Sequence, residues 1–430
     1  MDAQAAPGHG DANPTGGHDG GPDEGAVRGL VLSTTAPVAG GASLGRDPSG
    51  RVVFVAGALP GERVEVDITE TKKDFARAEV RTILHASPER VDPPCPFVAD
   101  GCGGCDLQHL RSEAQPGLKV AIVRDALRRI AHLPDATVTA APPLAPFGFR
   151  TTVRAAVDGG RIGFRAAHSH DVVEVDHCMV VHPRIDDLLA SLAASGAAGL
   201  DEVTFRIGAA TGERLVVVSP SADEVDLPAG WDDVTVVGTD ELDAGHRAWI
   251  HEEVHGFRFR VSARSFFQTR LDGAEALVDA VIDLGADELE RAGTVVDAYS
   301  GVGLFSALAA PHDARVVAVE SSRSSAADAR INLQARGKRA KVVASSVERW
   351  RPIRADVVVA DPSRSGLGRT AAGVLGKTGA AVLVLVSCDP AALARDAGLL
   401  ARHGFSLEQS LVVDLFPQTH HIEVVSRFVR

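Results

Sequence analysis

The clearest pattern of apolar and polar positions lies in Val295–Glu320, VVDAYSGVGLFSALAAPHDARVVAVE. Its apolar ends predict buried strands, its middle predicts a helix, and a glycine turn joins the first strand to that helix. This order of strand, turn, helix and acid-terminated strand is half of a doubly wound α/β sheet. Two later apolar runs end at Asp361 and Cys388 and predict further strands of the same sheet.

The first part of the chain has a different pattern. From Val27 to about His85, short runs rich in Val, Ile, Phe and Thr alternate with Gly-Gly, Asp-Pro-Ser-Gly and Pro-Gly-Glu turns. About five strands at this spacing predict a small OB-type β-barrel, which commonly holds single-stranded nucleic acid. A basic stretch near its end predicts either an RNA-binding face or an ordinary solvated face with interleaved acids: Lys72, Lys73, Arg77 and Arg81.

Residues 1–25, before the barrel, are dense in Gly, Pro, Asp and Ala, a composition that predicts a disordered tail. The two histidines of this tail, His9 and His18, reflect composition rather than a metal site.

The segment between the barrel and the doubly wound sheet predicts mixed α and β structure. Its elements are an amphipathic helix, a hairpin or small sheet, a second helix and further strands: Leu118–Leu133, Phe147–Val175, Pro183–Ser195 and Val203–His255. The arginines of the hairpin predict either a path for phosphates or solvated strand faces: Arg150, Arg154, Arg161 and Arg165.

Charge and composition limit the possible classes of protein. A formal net charge of −13 argues against non-specific coating of nucleic acid, although a local basic groove remains compatible with an RNA partner. No apolar run approaches the roughly 20 residues of a membrane-spanning helix, and no signal peptide is visible. We therefore expect a cytoplasmic protein with no membrane partner.

Four of the five cysteines form a pattern of their own. Cys95, Cys102 and Cys105 lie close together in CPFVADGCGGCDLQHL, and Cys178 follows in DHCMVVHP. Thiols separated by glycines suit a soft metal or an iron–sulfur cluster. Zinc is the main alternative, and buried thiols without a ligand are a third. We favour a cluster that pins loops together, because no redox-partner motif is visible.

The glycine turn and the strand ends carry the candidate chemistry. Gly301 and Gly303 form a G-x-G without the third glycine of dinucleotide enzymes, and Glu320 can accept hydrogen bonds from a ribose. These features favour S-adenosylmethionine over NAD, and a tight turn without a ligand remains an alternative. Asp361 and Cys388 end neighbouring strands, and a helix begins near Pro390. A thiol in that position can have a lowered pKa and act as a nucleophile.

Several motifs in order resemble the RNA 5-methyluridine methyltransferases, a family that often carries a TRAM domain: CGGCDLQH, SFFQTR, DAYSGVGLF, DPSRSGL, SCDPAALARD and LFPQTHHIEVV. The resemblance covers about Val27 to Arg430. It implies α/β architecture with a Rossmann-like methyltransferase domain, an N-terminal OB-like TRAM barrel and a central α+β domain. The expected divisions are a tail at 1–25, the barrel at 26–85, the central domain with the cluster at 86–262 and the methyltransferase domain at 263–430.

The resemblance also implies roles for individual residues. Cys388 matches the nucleophile that adds to C6 of uracil, and Glu423 matches the base that removes the C5 proton. The positions matching cofactor contacts are Gln268, Tyr299, Gly301, Gly303, Glu320 and Asp361. The positions matching ligands of a 4Fe–4S cluster are Cys95, Cys102, Cys105 and Cys178. The expected substrate is a uridine of ribosomal or transfer RNA, flipped out to reach Cys388 by a monomeric enzyme.

The chain departs from the family pattern at five places, of which the first is a gap between Cys95 and Cys102 that is one residue longer than the family's. DPSRSG replaces DPPR, SCDP replaces SCNP, FPQT replaces FPHT, and Leu304 stands where many relatives have Asn. These changes leave two alternatives to a uracil-C5 methyltransferase. One is a non-catalytic RNA-binding protein on a methyltransferase scaffold, and the other is methylation of a different substrate.

Overall fold

The computed structural model describes residues 28–223 and 228–430. The tail expected to be disordered, with His9 and His18, lies outside these residues. The described chain forms a small barrel, a central α+β unit and a large α/β unit.

The N-terminal unit is a closed barrel with strand order β1-β2-β3-β5-β4. Its strands are β1 (Leu30–Pro37), β2 (Ser43–Arg46), β3 (Val52–Ala56), β4 (Arg63–Thr71) and β5 (Phe75–His85). Buried residues alternate with exposed ones along each strand, and the inward positions hold small and β-branched side chains such as Val53, Val64 and Ala76. The alternation closes a core inside the barrel, which confirms the predicted five-stranded architecture.

The central unit begins with a helix and continues into sheet structure. Its elements are α1 (Gln115–Ile130), β6 (Thr137–Ala140), β7 (Thr152–Asp158), β8 (Arg161–Arg165), β9 (Val172–Glu174), α2 (Pro183–Ser195), β10 (Glu202–Ile207), β11 (Arg214–Ser219), β12 (Val234–Gly238), α3 (Thr239–Asp243), β13 (Trp249–Val254) and β14 (Phe257–Ser262). Six strands form a sheet in the order β12-β11-β10-β7-β8-β9, and β13 and β14 form a separate hairpin. Helix α2 buries Ile185, Leu188, Leu189 and Leu192 at helical spacing.

Helix α2 has the predicted bounds, whereas α1 lies three residues earlier than predicted. Pro116 stands in the first turn of α1, where a missing N–H costs no hydrogen bond. His132 adopts a left-handed φ of 59°, which ends the helix before Leu133.

The C-terminal unit is the doubly wound sheet. Its elements are α4 (Leu271–Glu290), β15 (Thr294–Ala298), α5 (Leu304–Leu308), β16 (Arg315–Glu320), α6 (Arg323–Asn332), β17 (Ala340–Ala344), β18 (Val357–Ala360), α7 (Gly368–Gly376), β19 (Val382–Ser387), α8 (Pro390–Ala401), β20 (Ser406–Val413) and β21 (Glu423–Val429). The strand order is β17-β16-β15-β18-β19-β21-β20-β6. The first five strands are parallel. Strands β15, β16, β18 and β19 are mostly buried, as expected for strands covered on both faces, whereas the edge strand β17 is only partly buried.

Strand β6 ties the central unit to this sheet. It follows α1 in the chain but pairs with β20 at the end of the catalytic sheet. Helix α1 packs on α8 over the same sheet. The pattern of the sequence does not reveal this contribution, because a four-residue strand carries no period of its own. No helix in the described part of the chain is long and apolar enough to cross a membrane.

Candidate active site

One edge of the C-terminal sheet gathers four ionisable side chains. Asp297 lies in β15, Asp361 follows β18, Cys388 follows β19 and Glu423 begins β21. Strands β15, β18 and β19 are parallel, so their carboxyl ends meet at the same edge. Strand β21 is antiparallel to β19, so its first residue reaches that edge as well. Ligands of open α/β sheets bind at this kind of edge.

The register of β19 and β21 places the thiol opposite a carboxyl. Ser387 pairs with Val424, and one further step of the same register sets Cys388 across from Glu423. Opposed residues of an antiparallel pair lie on one face, with Cβ atoms about 5 Å apart. Asp389 then caps α8 by accepting a hydrogen bond from the Ala392 amide at 2.7 Å. Cys388 therefore stands between a strand end, a helix start and a buried acid.

Burial governs the electrostatics of this edge. Burial, with added repulsion from Glu423 and Asp361, raises the pKa of Cys388 to about 11, and Arg364 opposes the rise. Burial first and Asp361 second raise the pKa of Glu423 well above its ordinary value. Burial and the neighbouring Asp297 also raise the pKa of Asp361. The lowered thiol pKa expected from the helix start is therefore wrong, because loss of water outweighs the helix in this structure.

The glycine turn after β15 has the backbone of a ligand cradle. Tyr299, Gly301 and Gly303 all adopt positive φ, at 63°, 55° and 95°. Glu320 accepts hydrogen bonds from the Gly301 amide at 2.8 Å and from the Ser322 amide at 2.6 Å. A side chain at Gly301 would enter open space, with no atom within 4 Å of its Cβ. The turn thus leaves room beside the strand ends.

Two polar atoms at this turn lack partners. Asp297 Oδ1 and Ser300 Oγ are buried and have no hydrogen-bond partner among the described residues. Buried polar atoms are normally satisfied, so these two atoms suit a polar ligand. With the open side of Gly301 and the acid at Glu320, they fit a nucleoside cofactor such as S-adenosylmethionine.

Two of the predicted cofactor-binding residues form few contacts with the catalytic edge or with the glycine turn. Tyr299 donates a long hydrogen bond of 3.4 Å to Glu348. Gln268 lies half-buried in the connection between β14 and α4, and no side-chain hydrogen bond in the described residues ties it to the sheet edge. Its loop is anchored instead by Ser265, whose hydroxyl donates to Asp328 at 2.6 Å.

Two further residues, Asp297 and Arg364, belong to this edge although neither the sequence pattern nor the family resemblance points to them. Burial raises the pKa of Asp297 to about 7, although Ser306 donates to its carboxyl through both amide and hydroxyl. The available signal was an acid inside a buried run of valines. Arg364 acts on the pKa of Cys388 from the loop after β18. Its signal was a cation in a Pro-Ser-Arg-Ser-Gly loop directly after a strand end.

The other four cysteines line a separate cavity of about 40 Å³. All four are half-buried free thiols: Cys95, Cys102, Cys105 and Cys178. Burial raises the pKa of Cys105 to about 11 and raises the pKa of Cys102 and of Cys178 as well. No three His, Cys, Asp or Glu side chains in residues 28–223 and 228–430 are arranged to hold a single metal ion.

The segment after Cys105 holds the loop that leads to Glu423. The amides of Asp106 and Leu107 both donate to the Gln418 carbonyl, at 3.1 and 3.0 Å. The Asp106 carboxylate accepts from the His420 amide at 2.7 Å and also contacts the His420 ring. Gln115 accepts from the Gln418 amide at 2.7 Å. We call this set of contacts the Asp106–Gln418 clamp. It connects the cysteine cavity to the catalytic edge.

The fold and this edge define an α/β methyltransferase that uses S-adenosylmethionine. Residues 31–80 match the TRAM domain. The chain is 36% identical to an RNA methyltransferase of Streptomyces avermitilis, over 91% of this chain and 96% of that relative. It is 32% identical to the 23S rRNA (uracil(1939)-C(5))-methyltransferase RlmD of Alkalilimnicola ehrlichii, over 88% and 92% of the two chains. The chain therefore belongs to the family of RNA methyltransferases.

A solved structure shares the whole architecture. The tRNA (uracil-54, C5)-methyltransferase of Pyrococcus abyssi, crystallised with S-adenosyl-L-homocysteine, has a TM-score of 0.69 to this chain. The match covers 93% of this chain and 100% of the archaeal one at 23% sequence identity. It supports the fold, with its barrel, central unit and methyltransferase sheet.

Proposed function

We propose that the protein transfers a methyl group from S-adenosylmethionine to C5 of a uridine in ribosomal or transfer RNA. The observation that carries this proposal is the opposition of Cys388 and Glu423 at the cofactor edge of the sheet. A uracil-C5 reaction needs both a nucleophile and a base at one carbon–carbon bond, and this edge offers both. The names of the relatives from Alkalilimnicola and Pyrococcus favour the same reaction.

The chemistry assigns Cys388 the first step. C5 of uracil is a poor nucleophile until a thiolate adds to C6, because that addition moves the electron pair of the double bond toward C5 and the C4 carbonyl. The thiol must first lose its proton. Because the pKa of Cys388 is raised, neighbouring groups must stabilise the thiolate. Arg364 favours the thiolate, since its charge lowers the pKa of Cys388. S-Adenosylmethionine, when bound, supplies an electrophilic methyl group to the activated C5.

Glu423 completes the reaction in this proposal. Its carboxylate removes the proton from C5, and the returning electron pair restores the double bond and expels the Cys388 thiolate. A carboxyl with a raised pKa is a stronger base than an ordinary glutamate, which suits removal of a carbon-bound proton. The target base must leave its stack to reach this edge.

The cofactor-binding role that we propose rests on residues of the turn and the neighbouring strand ends. The six positions are Gln268, Tyr299, Gly301, Gly303, Glu320 and Asp361. The carboxylate of Glu320 accepts two backbone hydrogen bonds within 3.0 Å and keeps lone pairs for ribose hydroxyls. Asp361 and Asp297 are acids at the same strand ends, and their ionised carboxyls would supply negative charge to a bound sulfonium.

Methyl transfer to defined RNAs tests the proposal. The purified protein is incubated with labelled S-adenosylmethionine and unmodified in-vitro transcripts of ribosomal and transfer RNA, and the products are digested and mapped by mass spectrometry. We expect label in 5-methyluridine of one RNA class. Label in another nucleoside, or none in either RNA, contradicts the proposed reaction.

We also propose that Cys95, Cys102, Cys105 and Cys178 hold a 4Fe–4S cluster that pins the central loops. Four soft donors converge on one cavity, and no carboxylate lines it. Zinc is the alternative, because four thiolates can also bind one zinc ion at about 2.3 Å. Protein purified without oxygen should be brown and contain iron and sulfide, whereas stoichiometric zinc without iron contradicts the cluster.

A further inference from the structure

We propose that the outer edge of the catalytic sheet carries a groove that binds the phosphate backbone of the RNA substrate. This inference rests on the proposed function and extends it, since it says where the RNA lies beyond its target base. The groove, about 420 Å³ in volume, lies on one face of β16 and β17. We call it the edge groove.

The edge groove is open because the chain passes from β17 to β18 without a long helix. Arg315 and Val317 of β16 stand beside Lys341 and Val343 of β17 on the same face, as the parallel register requires. The connection from β17 to β18 contains only a single short turn of helix, Val347–Arg349, before the chain returns to the sheet. The floor is apolar and the walls are basic.

Four cations surround the edge groove, and no acid lines it. Arg315, Lys341, Arg349 and Arg351 are all exposed. None of their side chains forms an ion pair or a hydrogen bond with any residue in 28–223 or 228–430. The chain as a whole carries a net charge of −13, so this groove is a local concentration of positive charge on an acidic protein. Unpaired cations around one groove fit a polyanion.

Several cations of the barrel and of the central unit, unlike those of the edge groove, are paired with acids. On the barrel, Lys72 and Arg77 both pair with Glu70, and Arg81 pairs with Glu65. In the central unit, two of the arginines that could have formed a phosphate path pair with acids, Arg154 with Glu202 and Arg161 with Asp158. RNA bound at those places would compete with existing ion pairs, whereas the cations of the edge groove have no ion pair to lose.

The position of the edge groove suits an RNA whose target base lies at Cys388. Ser345, at one end of the groove, donates its amide to the carbonyl of Glu320 at 2.9 Å, so the groove begins beside the cofactor turn. Strand β17 lies four strands away from β19. At about 4.8 Å per strand this is roughly 19 Å from the catalytic thiol. The groove would therefore hold the backbone that flanks the target and leave the base itself to the catalytic edge.

The test removes these four charges and measures RNA affinity against salt. One variant carries Arg315→Gln, Lys341→Gln, Arg349→Gln and Arg351→Gln. The matched control carries Arg128→Gln, Arg129→Gln, Arg161→Gln and Arg291→Gln, which removes the same number of exposed charges from residues that are ion-paired. The probes are unmodified transcripts of ribosomal and transfer RNA, at 50 to 200 mM salt. S-Adenosyl-L-homocysteine affinity reports whether each variant is folded.

We expect the groove variant to bind the RNA that the wild type prefers about tenfold or more weakly, with a salt slope flatter by about 3. The control should stay within about threefold of the wild type. The two double variants, Arg315→Gln with Lys341→Gln and Arg349→Gln with Arg351→Gln, should each show part of the loss if the full variant does not fold. An unchanged affinity and slope overturn the inference and leave an acidic protein partner as the occupant. If the groove variant loses affinity but the wild type makes no 5-methyluridine, the groove stands and the proposed reaction fails.

Discussion

Two groups of buried thiols in this protein differ in their neighbours. Cys388 lies alone at the catalytic edge, opposite Glu423 and under the influence of Asp361 and Arg364. The other four cysteines line a small cavity together with Arg150, Gln108, His177 and apolar side chains, and no carboxyl group lines it. A lone thiol beside a base is suited to addition and release of a substrate, and converging thiols are suited to a shared ligand.

The two groups cannot be told apart by pKa. Burial raises the pKa of both Cys388 and Cys105 to about 11. Their surroundings separate them, because only Cys388 has an acid across the strand pair and a helix start behind it. The difference teaches that the role of a cysteine depends on which groups share its edge or cavity. The two sites are nevertheless connected through the Asp106–Gln418 clamp.

The largest effect should come from Cys388→Ala. The methyl-transfer rate should fall by about 10⁴-fold or more, since no other thiol reaches the catalytic edge to add to C6. Affinity for S-adenosyl-L-homocysteine and iron content should stay at wild-type values, measured by calorimetry and by metal analysis. Loss of iron in this variant would mean that Cys388 also supports the cluster, which contradicts separate roles for the two sites.

Glu423→Gln should lower turnover by about 10² to 10⁴-fold and trap a covalent species. Addition of Cys388 and methylation of C5 can proceed, but the C5 proton remains and the thiolate cannot leave. Denaturing gels with labelled RNA should then show a protein–RNA adduct. The double variant Cys388→Ala, Glu423→Gln serves as the control and should show none. An adduct in the double variant would mean that another residue is the nucleophile.

The sequence predicted the strand ends of the catalytic edge better than it predicted the contacts between them. Apolar runs that stop at Asp361 and Cys388 identify the carboxyl ends of buried strands, and parallel neighbours then meet at one edge. Glu423 is different, because its place depends on β21 inserting between β19 and β20 in one register. Only the family resemblance pointed to it, and its role remains a proposal.

Contacts between distant parts of the chain, and the extent of burial, also cannot be predicted from a local sequence pattern. Asp106 and His420 are 314 residues apart in the chain, so no local sequence pattern predicts the Asp106–Gln418 clamp. The basic stretch of the barrel was compatible with an RNA-binding face or with a solvated face, and in the structure two of its cations, Lys72 and Arg77, pair with Glu70. The rise in the pKa of Cys388 depends on how much water the fold removes, which sequence position alone does not tell.

Cys102→Ser tests the other side of the comparison. Iron content should fall to a small fraction of the wild type, and the midpoint of thermal unfolding should fall by about 5 °C or more. Turnover should fall by about tenfold, because loss of the cluster loosens the segment that carries Asp106. Anaerobic metal analysis and calorimetry measure the first two effects. Full iron content in this variant would remove Cys102 from the ligand set.

Asp106→Asn tests the clamp with a smaller change. The variant keeps the backbone donors to Gln418 but weakens the contacts with His420, so we expect turnover to fall about threefold to fivefold. Iron content and thermal stability should remain near wild type, and KM for RNA should change little. Asp125→Asn, on the exposed face of α1, is the control and should have wild-type turnover. Equal loss of turnover and of stability would reduce Asp106 to a structural role.

The smallest effect concerns pH and the carboxyls of the catalytic edge. Burial raises the pKa of Asp297 to about 7, so this carboxyl is mostly neutral at pH 6 and mostly ionised at pH 8. A positive ligand binds the ionised form better, and affinity for S-adenosylmethionine should therefore rise about threefold to tenfold over this range. S-Adenosyl-L-homocysteine shares the nucleoside and the amino acid but lacks the sulfonium charge. Its affinity should change by less than about twofold in the same calorimetric titration.

Asp297→Asn separates the charge from the shape of the site. Asparagine can still accept the hydrogen bonds from Ser306, so the turn should keep its form. The variant should bind S-adenosyl-L-homocysteine as the wild type does and show a weaker pH dependence for S-adenosylmethionine. The dependence should not vanish, because burial also raises the pKa of the neighbouring Asp361 to about 7. A pH dependence equal for the two ligands would assign the titration to groups that they share, and the carboxyls would then have no electrostatic part in holding the sulfonium. The catalytic edge would then hold its cofactor through shape and hydrogen bonds, without a contribution from the charge of the carboxyls.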